Sequence, residues 1–227
     1  MNTEEYALLL KGEKKEKFDA YRALLLEYNN RYNLTTILEE KDMFYKHFLD
    51  SVVGEKYFKK DGKVIEIGSG AGFPSIPLKL MRDDLSFTLV ESVGKKCEFL
   101  HAVVDKLGLS NMNIYSKRAE ELAHDEIHRE RYDAATARAV ARMNTLSEYC
   151  LPFVKKGGVF VAYKSGDVTE IEEAQNAYKT LGGKLKKVEK YELPENYGER
   201  TLAIVEKVKP TPNRYPRGQG KERKSPL

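Results

Sequence analysis

The feature that most constrains this chain is a short apolar run, Val64-Ile65-Glu66-Ile67, that breaks directly into Gly68-Ser69-Gly70-Ala71-Gly72-Phe73-Pro74. Branched apolar residues over so few positions predict a buried strand. Three glycines in the next five residues let the chain turn tightly at the strand's carboxyl end and let a ligand approach the backbone. Pro74 or Pro77 suits the first turn of a following helix, where a missing amide costs nothing. A strand–loop–helix unit of this kind cannot stand alone and has to be built into a larger sheet.

The residues after it supply that sheet. Phe87–Glu91, Asn113–Tyr115, Asp133–Ala137 and Gly158–Tyr163 read as further strands, and the first of them leads into a helix with Phe99, Leu100, Val103, Val104 and Leu107 inward. Strands separated by helices of ~10–15 residues imply crossovers, and so a mainly parallel sheet covered on both faces. Lys184–Leu193 and Thr201–Val208 are separated only by a turn around Pro194 and Gly198, so they pair as a hairpin and one runs antiparallel. Residues 1–60 are instead helical in pattern. Phe18, Tyr21, Leu24, Leu25 and Tyr28 share a helix face, Asn29-Asn30 weakens its end, and Thr36-Ile37-Leu38-Glu39 matches a capping box opening a second helix. That helix carries His47 and Asp50 one turn apart on the same side. The expected organisation is a helical N-terminal cap at 1–60, a doubly wound α/β domain at 61–208, and a basic tail at 209–227 without regular structure.

Composition narrows the class. At 227 residues with 41% hydrophobic side chains the chain can bury a core without staples, and its two cysteines, Cys97 and Cys150, form neither a disulfide framework nor a thiolate zinc site. The longest run free of charged residues and histidine, residues 67–78, is far short of the ~20 a membrane span needs, and the first residues are acidic where a signal peptide is basic. A soluble, cytoplasmic protein is expected. The net charge of +4 has a location: Val208–Leu227 carries six basic side chains against Glu222, which leaves the rest of the chain nearly neutral. A basic tail on a neutral body is what contact with a polyanion requires.

The glycine spacing bears on the ligand. In Gly68-x-Gly70-x-Gly72 the third glycine comes one residue earlier than in the dinucleotide fingerprint, which suits close approach without a pyrophosphate cradle. S-adenosylmethionine (SAM), with no phosphate and a sulfonium cation, is the natural candidate. Glu91 ends the second strand, where a carboxylate can accept both ribose hydroxyls; NAD sites use the same device, so a nicotinamide oxidoreductase stays open. Arg118-Ala119-Glu120 follows the third strand and would border an adenine. Ala137-Arg138-Ala139 follows the fourth, facing cofactor, substrate or both. No Ser/His/Asp array, metal-ligand cluster or phosphate-binding lysine loop stands out, and Cys97 reads as packing. A non-enzymatic RNA- or ribosome-binding module is the other open alternative.

The same residues carry a resemblance. Tyr32-Asn33-Leu34-Thr35, His47-x-x-Asp50-Ser51, Ile67 through Pro74, Glu91-Ser92-x-x-Lys95-Lys96-x-x-Phe99-Leu100, Arg118-Ala119-Glu120, Ala137-Arg138-Ala139 and Tyr215-Pro216-Arg217 through Leu227 occur in the order found in the bacterial RsmG/GidB family. The chain resembles these 16S ribosomal RNA methyltransferases over nearly its whole length, departing at Lys46, Ser75 and Tyr163-Lys164-Ser165. The resemblance implies a class I SAM-dependent methyltransferase fold (Rossmann-like, seven strands, one antiparallel) and methylation of N7 of one guanine in the small-subunit rRNA. It assigns SAM to Gly68, Gly70, Phe73, Glu91, Ala119, Glu120 and Arg138. It leads to Arg138 and Lys164 lining the guanine site, Arg214 and Arg217 touching phosphates, and no general base, because N7 has no proton to remove. The implied partner is 16S rRNA or the small subunit, acted on by a monomer.

Overall fold

The computed structural model describes residues 4, 5, 7, 14–165 and 168–227; positions 1–3, 6 and 8–13 of the expected cap lie outside the described residues. Seven strands form one sheet: β1 (Lys63–Ile67), β2 (Ser86–Glu91), β3 (Met112–Ser116), β4 (Tyr132–Arg138), β5 (Val154–Ser165), β6 (Gly183–Leu193) and β7 (Gly198–Lys207), in the order β3-β2-β1-β4-β5-β7-β6. β1 pairs in parallel with β2 and β4, while β7 runs antiparallel between β5 and β6. The expected hairpin is β6–β7, reversing at Pro194, whose carbonyl accepts the Tyr197 amide. The chain leaves β1 toward β2 on one side and returns to β4 on the other. The loops after β1 and β4 therefore diverge, and this switch opens a crevice at the strands' carboxyl ends.

The helices described are α1 (Lys15–Tyr32), a continuous helical segment α2 at 40–52, α3 (Ser75–Met81), α4 (Gly94–Leu107), α5 (Ala119–Leu122), α6 (Met143–Cys150), α7 (Thr169–Glu173), α8 (Gln175–Thr180) and α9 (Lys221–Lys224). Alternation along β1 sends Val64 into one apolar layer and Ile65 into the other. The Val64 layer holds Phe87, Leu89, Phe99 and Leu100 together with Tyr21 and Leu25 of α1 and Phe48 of α2. Cap and sheet thus share one core, and α1 buries Phe18, Tyr21 and Leu25 as the spacing predicts. The opposite layer joins Ile65, Ala135 and Phe160 to Leu146 of α6 and to Tyr215 of the tail.

Two expectations are corrected. The capping box at Thr36–Glu39 does not form: α2 begins at Glu40, with no side-chain cap at Glu39. The hydroxyl that matters is Thr35, which accepts the Ile37 amide at 3.0 Å and lies 2.9 Å from the His47 ring, so a buried polar partner outcompetes the local cap. Within α2, Phe44–Leu49 is π-helical, a widened turn that carries His47.

The tail also departs from expectation. It is docked along the body and ends in a helical turn, α9. The Arg129 guanidinium donates to the carbonyls of Thr211, Pro212 and Tyr215, and Arg217 grips the fully buried Glu148 through its backbone amide and its guanidinium at 2.7–2.9 Å. Arg217, expected to touch phosphate, is an internal anchor. A carboxylate buried that deeply has to have a cation beside it. Replacing Arg217 with Ala strands Glu148 and is expected to cost about 3 kcal/mol of unfolding free energy. Urea unfolding measures it, and a wild-type midpoint in the variant would show the pair to be dispensable.

Candidate functional site

The glycine loop is shaped by its neighbours. Gly68 has φ +68°, and a Cβ there would sit 2.7 Å from Val140 in the loop after β4. At Gly70 a Cβ would meet nothing nearer than the Gly68 carbonyl at 3.8 Å, so that side of the loop is open. Below the loop Glu66 is fully buried. Its Oε2 accepts the Ser75 amide at 3.2 Å, and its Oε1 has no partner among the described residues. Burial pushes this carboxyl up to about 8, against the pull of Ser75 and of the nearby Arg138 charge. Glu91 lies across from it, its two oxygens accepting the Gly70 and Val93 amides at 2.9 Å each. Each oxygen keeps a second lone pair for a ligand hydroxyl.

A second cluster forms where the cap meets the end of β4. The Arg138 guanidinium donates to Asp50 Oδ2 (3.0 Å), the Lys46 carbonyl (3.0 Å) and His47 Nδ1 (2.9 Å), and lies 4.9 Å from the centre of the Phe73 ring. His47, beside the guanidinium, stacks on the same Phe73 ring with centres 4.4 Å apart. A guanidinium only donates, so the hydrogen-bond network assigns Nδ1 as the unprotonated nitrogen and leaves Nε2–H to donate to Thr35. Consistently, burial and the Arg138 charge hold the His47 pKa down at about 3. Asp50 also accepts the Tyr191 hydroxyl at 2.6 Å and has Arg200 at 3.9 Å. Ala139 follows in the left-handed region (φ +57°), a conformation costing a non-glycine residue roughly 1–2 kcal/mol. Lys164, nearly buried, donates to the Ala141 carbonyl at 2.8 Å and pairs with Glu170 at 3.1 Å.

Two cavities flank this turn. The first, of about 240 Å³, is lined by Gly68, Val90, Ala119, Glu120, Val140, Tyr149 and Arg223 among others. The second, of about 480 Å³, is lined by Lys46, His47, Asp50, Arg138, Ala139, Lys164 and Arg200 among others. Consecutive residues thus face different spaces: Val140 borders the first, Arg138 and Ala139 the second. Of the residues expected to bind cofactor, Gly68, Ala119 and Glu120 line the first cavity, and Gly70, Phe73 and Glu91 form the loop and strand end beside it. Arg138 joins Lys164 on the second instead. Arg214 is exposed, its guanidinium 5.0 Å from the Tyr215 ring centre.

Residues 14–200 match the family model GidB, described as rRNA small subunit methyltransferase G. The chain belongs to that family. It is 46% identical over 237 positions to Ribosomal RNA small subunit methyltransferase G of Brevibacillus brevis, with 100% of both chains covered. It is 45% identical to the Staphylococcus epidermidis protein of the same name, over 98% of this chain and 94% of that one. Among solved structures, an O-methyltransferase from Bacillus cereus in complex with SAH superposes with a TM-score of 0.58 at 14% identity, over 82% of this chain and 91% of that one. TYW2 of M. jannaschii in complex with AdoMet gives 0.58 at 15%, over 76% and 80%. Both are likenesses of fold, and the fold is that of class I SAM-dependent methyltransferases.

Within this GidB-family chain, sequence reasoning missed Asp50, Tyr191 and Arg200 as neighbours of Arg138, and Tyr149 and Arg223 as walls of the first cavity. The one available signal was His47-x-x-Asp50, whose spacing puts both on one helix side. The His47 contact makes stability depend on pH. Its folded pKa lies below the ordinary value near 6.5, so the unfolded chain binds the extra proton between about 3 and 6.5. This contribution is complete above about pH 6.5 and is lost as pH falls toward 3. Unfolding free energies at pH 7 and pH 5 are expected to fall further in wild type than in His47→Gln; equal losses would mean that His47 titrates normally in the fold.

Proposed function

We infer that this protein is a SAM-dependent methyltransferase that methylates N7 of a specific guanine in 16S ribosomal RNA. The observation that carries the reading is the turn at 138–140, whose consecutive residues border two cavities, Val140 the first and Arg138 and Ala139 the second. A donor held in one and an acceptor base in the other would be neighbours at the edge of that turn, and group transfer needs such proximity. Family membership supports the target, as do the relatives' names.

The residues fit an adenosyl ligand. Glu66 Oε1 is buried without a partner among the described residues, Gly70 offers an open face, and Glu91 keeps free lone pairs at the end of β2. Gly68, Ala119 and Glu120 would border the adenosine, with Gly70, Phe73 and Glu91 holding the loop and the ribose. When bound, the cofactor supplies an electrophilic methyl group on a sulfonium.

The chain's own task on the other side is to hold one base. Guanine N7 has an in-plane lone pair and no proton, so no general base is needed, and none of the nearby groups is set up as one: His47 already donates and accepts within the protein. Arg138 and Lys164 line the base site, each immobilised by protein partners, while Lys46 and Arg200 add positive charge at its rim. A base reached this way has to be unstacked, which favours an unpaired loop of the RNA. Of the two tail arginines expected at phosphates, Arg214 is the one left exposed. No helix among the described residues is long and apolar enough to cross a membrane; the role we propose is cytoplasmic and ribosome-directed.

Methyl transfer from labelled SAM to small-subunit rRNA from cells lacking this gene, mapped by N7-methylguanine-specific strand cleavage, is expected to give one new site. Arg138→Ala is expected to lower the rate by about 100-fold, the scale of a misplaced reacting group. Labelling at a nitrogen other than N7, or of a different RNA, would remove the assignment. Glu66 offers an independent check on the cofactor. A carboxyl near 8 is mostly protonated at pH 7, and a cationic ligand nearby draws its pKa down. SAM binding is therefore expected to release protons at pH 7, seen calorimetrically in buffers of different ionisation enthalpy. The release is expected to vanish in Glu66→Gln, and a buffer-independent heat in wild type would rule the coupling out.

A further inference from the structure

The tail lies beyond residues 14–200 of the family match, and its course is fixed by contacts spaced every few residues. At its root Lys207 is buried, donating to the Leu151 and Val154 carbonyls and to Thr211 Oγ1, with Glu130 at 2.9 Å. Arg129 next gathers the carbonyls of Thr211, Pro212 and Tyr215, and His124 Nε2 donates to the Pro216 carbonyl at 2.9 Å. Arg217 then closes on Glu148. Glu222, wholly buried, accepts the Gly218 amide, and its carbonyl accepts Thr145 Oγ1 at 2.8 Å. The chain between these last anchors cannot drift far from α6.

That stretch arrives at the carboxyl ends of the strands. Gly220 and Arg223 line the 240 Å³ cavity together with Gly68, Ala119, Glu120 and Val140, and Arg217 to Gly220 line an adjoining space of about 520 Å³ with Arg118, Glu120 and His124. The loops after β1, β2, β3 and β4 provide the other walls. Arg223 has no ion pair among the described residues; it hydrogen-bonds the Tyr149 hydroxyl, opposing the rise that burial gives that group's pKa. Its guanidinium therefore keeps donors and a flat cationic face available, and a purine offers ring-nitrogen acceptors and a π surface that match both.

We propose that Gly220 and Arg223 contact the adenosine half of the bound cofactor, so that the basic C-terminal segment is a wall of the cofactor site and not primarily an arm for RNA. The inference rests on the reading of the first cavity as the SAM site. It explains why a segment with so many cations has its central one, Arg217, turned inward: the anchor at Glu148 presents the wall.

The test is equilibrium binding of S-adenosylhomocysteine to the full-length protein by calorimetry, alongside binding of a 16S rRNA fragment at several salt concentrations. Arg223→Ala is expected to weaken S-adenosylhomocysteine by about tenfold, the loss of one charge-assisted contact. Its melting temperature without ligand, its RNA affinity and its salt slope are expected to match wild type. Glu148→Gln, which loosens the anchor without touching the cavity, is expected to weaken the same ligand while the circular dichroism spectrum of the fold is retained. Wild-type ligand affinity in Arg223→Ala overturns the proposal, and so does a loss confined to RNA affinity and salt slope, which would make the tail an RNA arm. Failure of wild type itself to bind S-adenosylhomocysteine would instead remove the cofactor reading on which the proposal stands.

Discussion

The guanidinium of Arg138 is the group on which the arrangement of this molecule turns. A cation at the buried end of a central strand costs several kcal/mol unless it is paired and hydrogen-bonded. Every group that satisfies it comes from the cap: the Asp50 carboxylate, the Lys46 carbonyl and a neutral His47. Docking the cap and immobilising Arg138 are therefore one event. Phe73 packs against both the His47 ring and the guanidinium, so the glycine loop is clamped to the same cluster. The requirement reaches further back. His47 can accept from Arg138 only as the tautomer that donates from Nε2, and Thr35, with its hydroxyl already bonded to the Ile37 amide, receives that proton. The Asn-Leu-Thr segment after α1 thus sets the chemistry of a side chain on α2.

Around this cluster the sheet topology decides which loops meet. Because β1 stands between β2 and β4, the loop carrying Gly68 faces the one carrying Val140, and a glycine is needed where Val140 comes within 2.7 Å of the missing Cβ. β7 entering antiparallel beside β5 brings Arg200 and, through β6, Tyr191 to Asp50, so the hairpin finishes the wall that the cap begins. On the opposite face Lys207 and Arg129 hold backbone carbonyls that would otherwise be buried unpaired, and they turn the tail back toward the cleft.

The strands were legible because buried parallel strands read as short continuous apolar runs, and all seven stand within a few residues of where periodicity and turn signals put them. The glycine loop was legible for a similar reason: Gly68 and Gly70 follow directly from β1, Glu91 ends β2, and Ala119 and Glu120 come just after β3, so their positions are local consequences of the sheet. The capping box at Thr36 matched a local pattern that lost to a tertiary one at Thr35. The tail looked unstructured because its order comes from outside itself. Glu148 reads as an ordinary charged position on a short helix, and nothing near it in the chain announces Arg217, 69 residues away.

The sequence by itself determined the alternation of elements, the crossover sheet, the glycine turn after β1 and, through its ordered motifs, the family. These depend on periodicities and turn residues that act within a few positions. Only the tertiary structure decided which ionisable groups meet. Asp50 and Arg138 are 88 residues apart, Asp50 and Tyr191 are 141 apart, and Arg223 and Gly68, from opposite ends of the domain's sequence, line one cavity. A charge has no periodicity that betrays its partner, and burial, which forces the pairing and sets the pKa, exists only once the sheet has closed.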